Sequence, residues 1–137
     1  MRPQVKFLSI ALSAAALLSA ASTAQAADPA EGESIFNKRC KACHTIEPGK
    51  NKVGPSLFGV IGRQAGTIDG FKYSDSYIEA GKGGLTWAED KVVEYLLDPK
   101  GYMREVTGDK KARSKMVFKL KDEGERQDVA SYLATVK

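Results

Sequence analysis

The sequence predicts an all-α domain: crossing N- and C-terminal helices, further helices between them, and long Gly-rich loops around a centre the chain does not fill by itself. Three observations carry this. Apolar residues recur at spacings of three and four behind Asp or Thr capping positions. No run alternates with period two for long enough to make a strand. Residues 49–72 contain Gly49, Gly54, Gly59, Gly62, Gly66 and Gly70, a density that belongs to loops.

The chain opens with Arg2 and Lys6, an Ala- and Leu-rich stretch from Phe7 to Leu18, and small residues at Ala24-Gln25-Ala26. That pattern reads as a cleaved signal peptide over residues 1–26, leaving one exported, periplasmic domain over 27–137. Ser9 and Ser13 interrupt the apolar stretch, which falls short of the about 20 residues of a spanning helix, so no stable membrane insertion is expected. Formal charge is +4, and losing Arg2 and Lys6 brings it to +2. Net charge therefore selects no partner, and basic residues scattered among acids without aromatic interleaving argue against a nucleic-acid surface.

Asp28-Pro29-Ala30-Glu31 reads as a helix start, with Asp as the cap, Pro at the first helical position and Glu three residues after the cap. Gly32, Ile35, Phe36 and Arg39 follow at helical spacing and carry Cys40 to the end of this helix. A short helix is expected over Asp75–Ala80. Thr86-Trp87-Ala88-Glu89 reads as a capping box before Val92, Val93, Leu96 and Leu97, and Asp98-Pro99 as the stop. Asp122 and Glu125 cap the last helix, whose Val129, Tyr132, Leu133 and Val136 share a face. The two terminal helices are expected to cross, with Gly32 permitting close approach.

The two cysteines, Cys40 and Cys43, are followed at once by the single histidine, His44. Cys-x-x-Cys-His is the attachment signature of c-type haem: two thiols add across two vinyl groups, and the adjacent imidazole becomes a proximal iron ligand. A thioredoxin-type site needs a preceding strand, and a zinc site needs a fourth ligand; neither is present in the pattern. A disulfide-bonded binding module is the remaining alternative. With one histidine, bis-imidazole ligation within the chain is excluded. The sixth ligand is then a methionine, a weaker donor or nothing, and a vacant position would make the chain a haem enzyme or gas sensor. Beyond residue 26 the methionines are Met103 and Met116. Met116-Val117-Phe118 closes a polar loop and has reason to turn inward, so the pattern favours Met116 while leaving Met103 open.

The whole of 27–137 resembles class I cytochrome c of the bacterial cytochrome c2 and c550 type. The landmarks are Gly32 and Phe36 before Cys40–His44, then Val53-Gly54-Pro55-Ser56-Leu57, Gly62-Arg63, Gly70-Phe71-Lys72-Tyr73-Ser74-Asp75 and Leu85-Thr86-Trp87. They continue through Glu94-Tyr95-Leu96, Asp98-Pro99, Lys115-Met116-Val117-Phe118 and Tyr132-Leu133. The resemblance implies the class I cytochrome c fold around one covalently bound haem c, with His44 and Met116 as axial ligands. It implies that the Pro55 carbonyl accepts a hydrogen bond from the His44 ring, that Arg63, Tyr73 and Trp87 hold the propionates, and that Tyr95 lies near the ligand sulfur. Two departures stand out: the stretch before Met116 is longer than the family's Pro-Gly-Thr-Lys-Met, and an asparagine expected after Tyr73 is replaced near Tyr77.

A closed His/Met pair blocks substrate chemistry at iron and implies a monomeric, single-haem electron carrier rather than an enzyme. By the same resemblance Arg39, Lys41, Lys52, Lys100, Lys115 and Lys119 flank the haem edge and steer acidic partners into transient electrostatic contacts. The family's partners are a cytochrome bc1 complex as donor, with a photosynthetic reaction centre or cytochrome oxidase as acceptor.

Overall fold

The computed structural model describes residues 25–137. All but the last two residues of the expected signal peptide lie outside them. The described residues form five α-helices and no sheet: α1 Pro29–Ile35, α2 Asp75–Lys82, α3 Glu89–Leu97, α4 Pro99–Thr107 and α5 Glu123–Thr135. Among them no helix is long and apolar enough to cross a membrane.

Helix α1 starts as the sequence predicts. The Asp28 carboxylate accepts from the Ala30 amide at 2.8 Å, and Pro29 sits where no intrahelical N–H is needed. The helix then widens into a π-helical turn over Phe36–Cys40, in which the Lys41 amide reaches back to the Phe36 carbonyl at 2.9 Å. At the other end of the chain, the Asp122 carboxylate accepts from the Glu125 amide at 2.9 Å and starts α5.

These terminal helices cross at Gly32. A Cβ there would stand 2.0 Å from the Asp128 carbonyl oxygen, so hydrogen alone fits. Phe36 and Tyr132 pack beyond the crossing, with ring centroids 5.7 Å apart. Phe36, Val129 and Leu133 are buried there, and Val136 packs against the same core. Buried Arg126 fastens the approach to α5 by donating to the carbonyls of Leu120 and Lys121 at 3.0 and 2.6 Å.

The middle of the chain departs from expectation twice. Thr86 does not cap α3: its segment pairs antiparallel with Gln64, through Ala65 N to Leu85 O at 2.8 Å and Trp87 N to Arg63 O at 2.9 Å. With that backbone engaged, α3 begins at Glu89 after an extended Ala88. Asp98-Pro99 ends α3 as expected, but Pro99 also opens α4, because a proline that cannot continue one helix is suited to the first position of the next. The second helix buries Tyr102 and Met103 and stops at Gly108, which takes the left-handed conformation at φ 67°. Met103 is completely enclosed, at 0% exposure.

Candidate functional site

The site is assembled from the turn after α1, the loop at 52–58 and the segment that ends at Met116. The Cys43 and His44 amides both donate to the Cys40 carbonyl, at 3.0 and 2.9 Å, so the two thiols and the imidazole leave the chain within one turn. The thiols are not joined. Cys40 is half-buried, and burial pushes its thiol up to about 11 against the opposing pull of Arg39. Cys43 is exposed.

The His44 ring is fixed on two sides. Its Nδ1 donates to the Pro55 carbonyl at 2.8 Å. A carbonyl oxygen only accepts, so the proton sits on Nδ1 and the lone pair on Nε2, the atom left for a metal. Burial lowers the imidazole below its usual pKa, with the Arg63 charge adding to the effect and the Pro55 bond opposing it. Gly54 lies flat against the ring: a Cβ would stand 2.3 Å from Cε1 and 2.7 Å from Nδ1. This loop is clipped in place by Gly54 N to Cys43 O at 2.8 Å and Lys52 N to Gly54 O at 2.9 Å.

Arg63 lies near both Trp87 and Tyr73. The backbone bond between residues 63 and 87 sets the indole's segment beside Arg63, and burial raises the Tyr73 phenol pKa against the opposing pull of the Ile68 amide and the Arg63 guanidinium. The guanidinium, half-buried in this group, donates to the carbonyls of Phe58 and Ser56 at 3.0 and 3.1 Å. The Tyr73 oxygen accepts from the Ile68 amide at 3.4 Å. Trp87 is buried within an aromatic cluster, 5.0 Å from Tyr95 and 6.0 Å from Tyr102 between ring centroids.

Met116 is half-buried, and the Tyr95 hydroxyl donates to its sulfur at 3.6 Å. Burial pushes the Tyr95 phenol above its ordinary pKa, with the Ser114 hydroxyl opposing the shift. Two further residues complete the arrangement and were not singled out by sequence reasoning as site residues. Tyr77 shares a hydrogen bond between hydroxyls with Tyr95. Ser114 donates to the Met116 carbonyl at 2.8 Å and lies 3.3 Å from the Tyr77 hydroxyl. The replaced asparagine near Tyr77 is the available signal for the first; Gly54 is marked only as part of the Val53–Leu57 landmark, without its contact to His44, and nothing in the sequence marks Ser114.

The six basic residues divide into two groups. Arg39 pairs with Glu125 at 3.8 Å and Lys119 with Asp98 at 3.0 Å. Lys41, Lys52, Lys100 and Lys115 are exposed without a carboxylate partner among the described residues; Lys52 donates to the Lys41 carbonyl at 2.7 Å and Lys115 to that of Lys72.

The donor set fits an iron porphyrin. An imidazole with its lone pair on Nε2, a thioether, two unjoined thiols one turn apart and a guanidinium–phenol–indole group match the needs of the metal, the vinyl groups and the propionates. Half-buried Leu57, Ile61 and Phe118 supply apolar surface beside them.

Comparison with known proteins agrees. The cytochrome c family model matches residues 29–137. Cytochrome c2 of Rhodopseudomonas palustris is 47% identical over 116 residues, covering 80% of this chain and 99% of the relative. Cytochrome c2 iso-2 of Rhodospirillum centenum is 50% identical over 113 residues, covering 77% and 93%. Among solved structures, cytochrome c2 from Rhodospirillum centenum superposes with a TM-score of 0.75 at 47% identity, covering 80% of this chain and 98% of that one. Ferric cytochrome c-550 from Paracoccus versutus gives 0.71 at 39%, covering 80% and 98%. Matched by the family model over residues 29–137 and in fold over 80% of its length, the chain belongs to the cytochrome c family, as an electron carrier of the bacterial c2 and c550 type with one covalently bound haem c.

Proposed function

We propose that the chain works in the periplasm, that thioethers at Cys40 and Cys43 attach the haem, and that His44 and Met116 are its axial ligands. The haem supplies the one-electron couple. The chain's own residues hold that couple in a fixed environment. Pro55 and Gly54 set the His44 ring plane, Tyr95 orients and polarises the Met116 sulfur, and Arg63, Tyr73 and Trp87 offset the propionate charge. The observation that carries this reading is that His44 and Met116 each have a dedicated hydrogen-bond partner, Pro55 and Tyr95, that fixes the orientation of the donor atom.

Electrons would pass through an edge ringed by Lys41, Lys52, Lys100 and Lys115 to acidic surfaces on membrane complexes. A cytochrome bc1 complex as donor and a photosynthetic reaction centre or cytochrome oxidase as acceptor fit such brief contacts. Substitution of each methionine tests the ligand assignment. Met116→Ala is expected to give high-spin ferric haem that binds added imidazole, whereas Met103→Ala keeps the low-spin spectrum and loses stability. High-spin haem in Met103→Ala alone would reverse the assignment. Mass spectrometry of the exported protein checks the remainder: one haem added, and the chain beginning near Ala27.

A further inference from the structure

We propose that the cleft between α4 and the following loop binds a small multivalent oxyanion of the diphosphate class, and that its occupant bears on the Met116 segment. The cleft opens to solvent, offers about 480 Å³ and is lined by Lys100, Arg104, Lys110, Lys111, Arg113 and Ser114. Five of these six side chains are cationic at neutral pH and none is a carboxylate. Among the described residues none of the five forms an ion pair.

The cations are gathered by structure. One turn of α4 separates Lys100 from Arg104, which places them on the same side of the helix. The loop is tied down at several points. Arg104 Nε donates to the Ala112 carbonyl at 3.4 Å, Ala112 is buried, the Arg113 amide donates to Ser76 Oγ at 3.0 Å, and the Lys111 amide donates to the Asp109 carboxylate at 2.8 Å. Holding five like charges around one concavity is a standing repulsion that a bound anion would relieve.

Shape and charge select the ligand class. A volume of about 480 Å³ lies within the usual range for small-molecule sites. Two planar guanidinium forks suit adjacent phosphate groups, and three lysines add more charge than one phosphate neutralises. Ser114 links the cleft to the site already described: it lines the cleft, and its hydroxyl donates to the Met116 carbonyl at 2.8 Å.

The test uses the mature, haem-loaded protein and inorganic pyrophosphate at low ionic strength. Calorimetry is expected to show saturable binding. Lys110→Glu with Lys111→Glu should weaken it by at least about tenfold, while Lys38→Glu with Lys121→Glu, of equal charge change outside the cleft, leaves it within about threefold. The Met116 amide resonance of the reduced protein is expected to shift with the same midpoint. Absence of saturation, or equal weakening in the two double variants, overturns the site; a Met116 amide unmoved at saturation overturns the link. Vesicles of anionic phospholipid distinguish the phosphate source. Retention on them that pyrophosphate displaces assigns a lipid headgroup, no retention assigns a soluble diphosphate, and both uphold the site.

Discussion

The Tyr95 hydroxyl spends its single proton on the Met116 sulfur, 3.6 Å away, and is itself hydrogen-bonded to Tyr77. A donor whose oxygen also accepts is a stronger donor. With Met116 on the iron as proposed, removing Tyr95's hydroxyl would leave the sulfur more electron-rich and favour oxidised iron. Tyr95→Phe is therefore expected to lower the reduction potential by the equivalent of about 0.5–1.5 kcal/mol. Tyr77→Phe should lower it by less, since the Tyr95 bond survives without its supporting partner. Redox titration of both variants checks the order, and a larger effect from Tyr77 would contradict it.

Gly54→Ala tests the packing of the imidazole. The new methyl would meet His44 Cε1 at 2.3 Å, so ring or loop must shift. The expected result is a loss of about 1–3 kcal/mol in stability, together with a changed haem absorption spectrum. Gly32→Ala meets a backbone oxygen at 2.0 Å and should also destabilise, but through the helix crossing, with the spectrum unchanged below the unfolding transition.

Steering should follow the unpaired charges. Lys119 already answers Asp98 at 3.0 Å, whereas Lys41, Lys52, Lys100 and Lys115 have no such partner. Transfer rates with an acidic partner are expected to fall as ionic strength rises. At low salt Lys41→Glu or Lys52→Glu should slow transfer more than Lys119→Glu. A rate indifferent to salt would remove the steering role from this face.

Asp98 gives the pH dependence. The hydrogen bond from Lys119, aided by the Gly101 amide, holds its carboxyl below the ordinary value. A depressed folded-state pKa means the unfolded chain takes up the proton first. The contribution is thus fully present above the ordinary carboxylate range and fades as pH falls through the depressed value. Asp98→Asn should leave a shallower loss of stability on acidification below about pH 4, measured by urea unfolding at a series of pH values.

Legibility in the sequence followed how local the determining interaction is. The caps at Asp28 and Asp122 lie within three residues of the amides they satisfy, and both were readable. The Gly32 crossing was readable because a glycine inside a helical pattern implies contact. The start of α3 was misread because Thr86 is claimed by Gln64, a residue distant in sequence. Helix α4 is not evident in the sequence because Asp98-Pro99 reads as an ending, although its proline also suits a first helical position. In the site, the turn carrying Cys40, Cys43 and His44 is legible from five consecutive residues, while the contacts of Gly54, Tyr77 and Ser114 depend on partners 10 or more residues away or on a carbonyl that no pattern records.

The π-helical turn at Phe36–Cys40 sets an angular phase. An extra residue in one turn rotates everything after it by about 100° relative to an uninterrupted α-helix. Gly32 before the turn and Phe36 at its start thus meet α5, while Cys43 and His44, which follow the turn, take a different phase. One short helix thereby serves two directions that a regular helix of the same length would have forced into one.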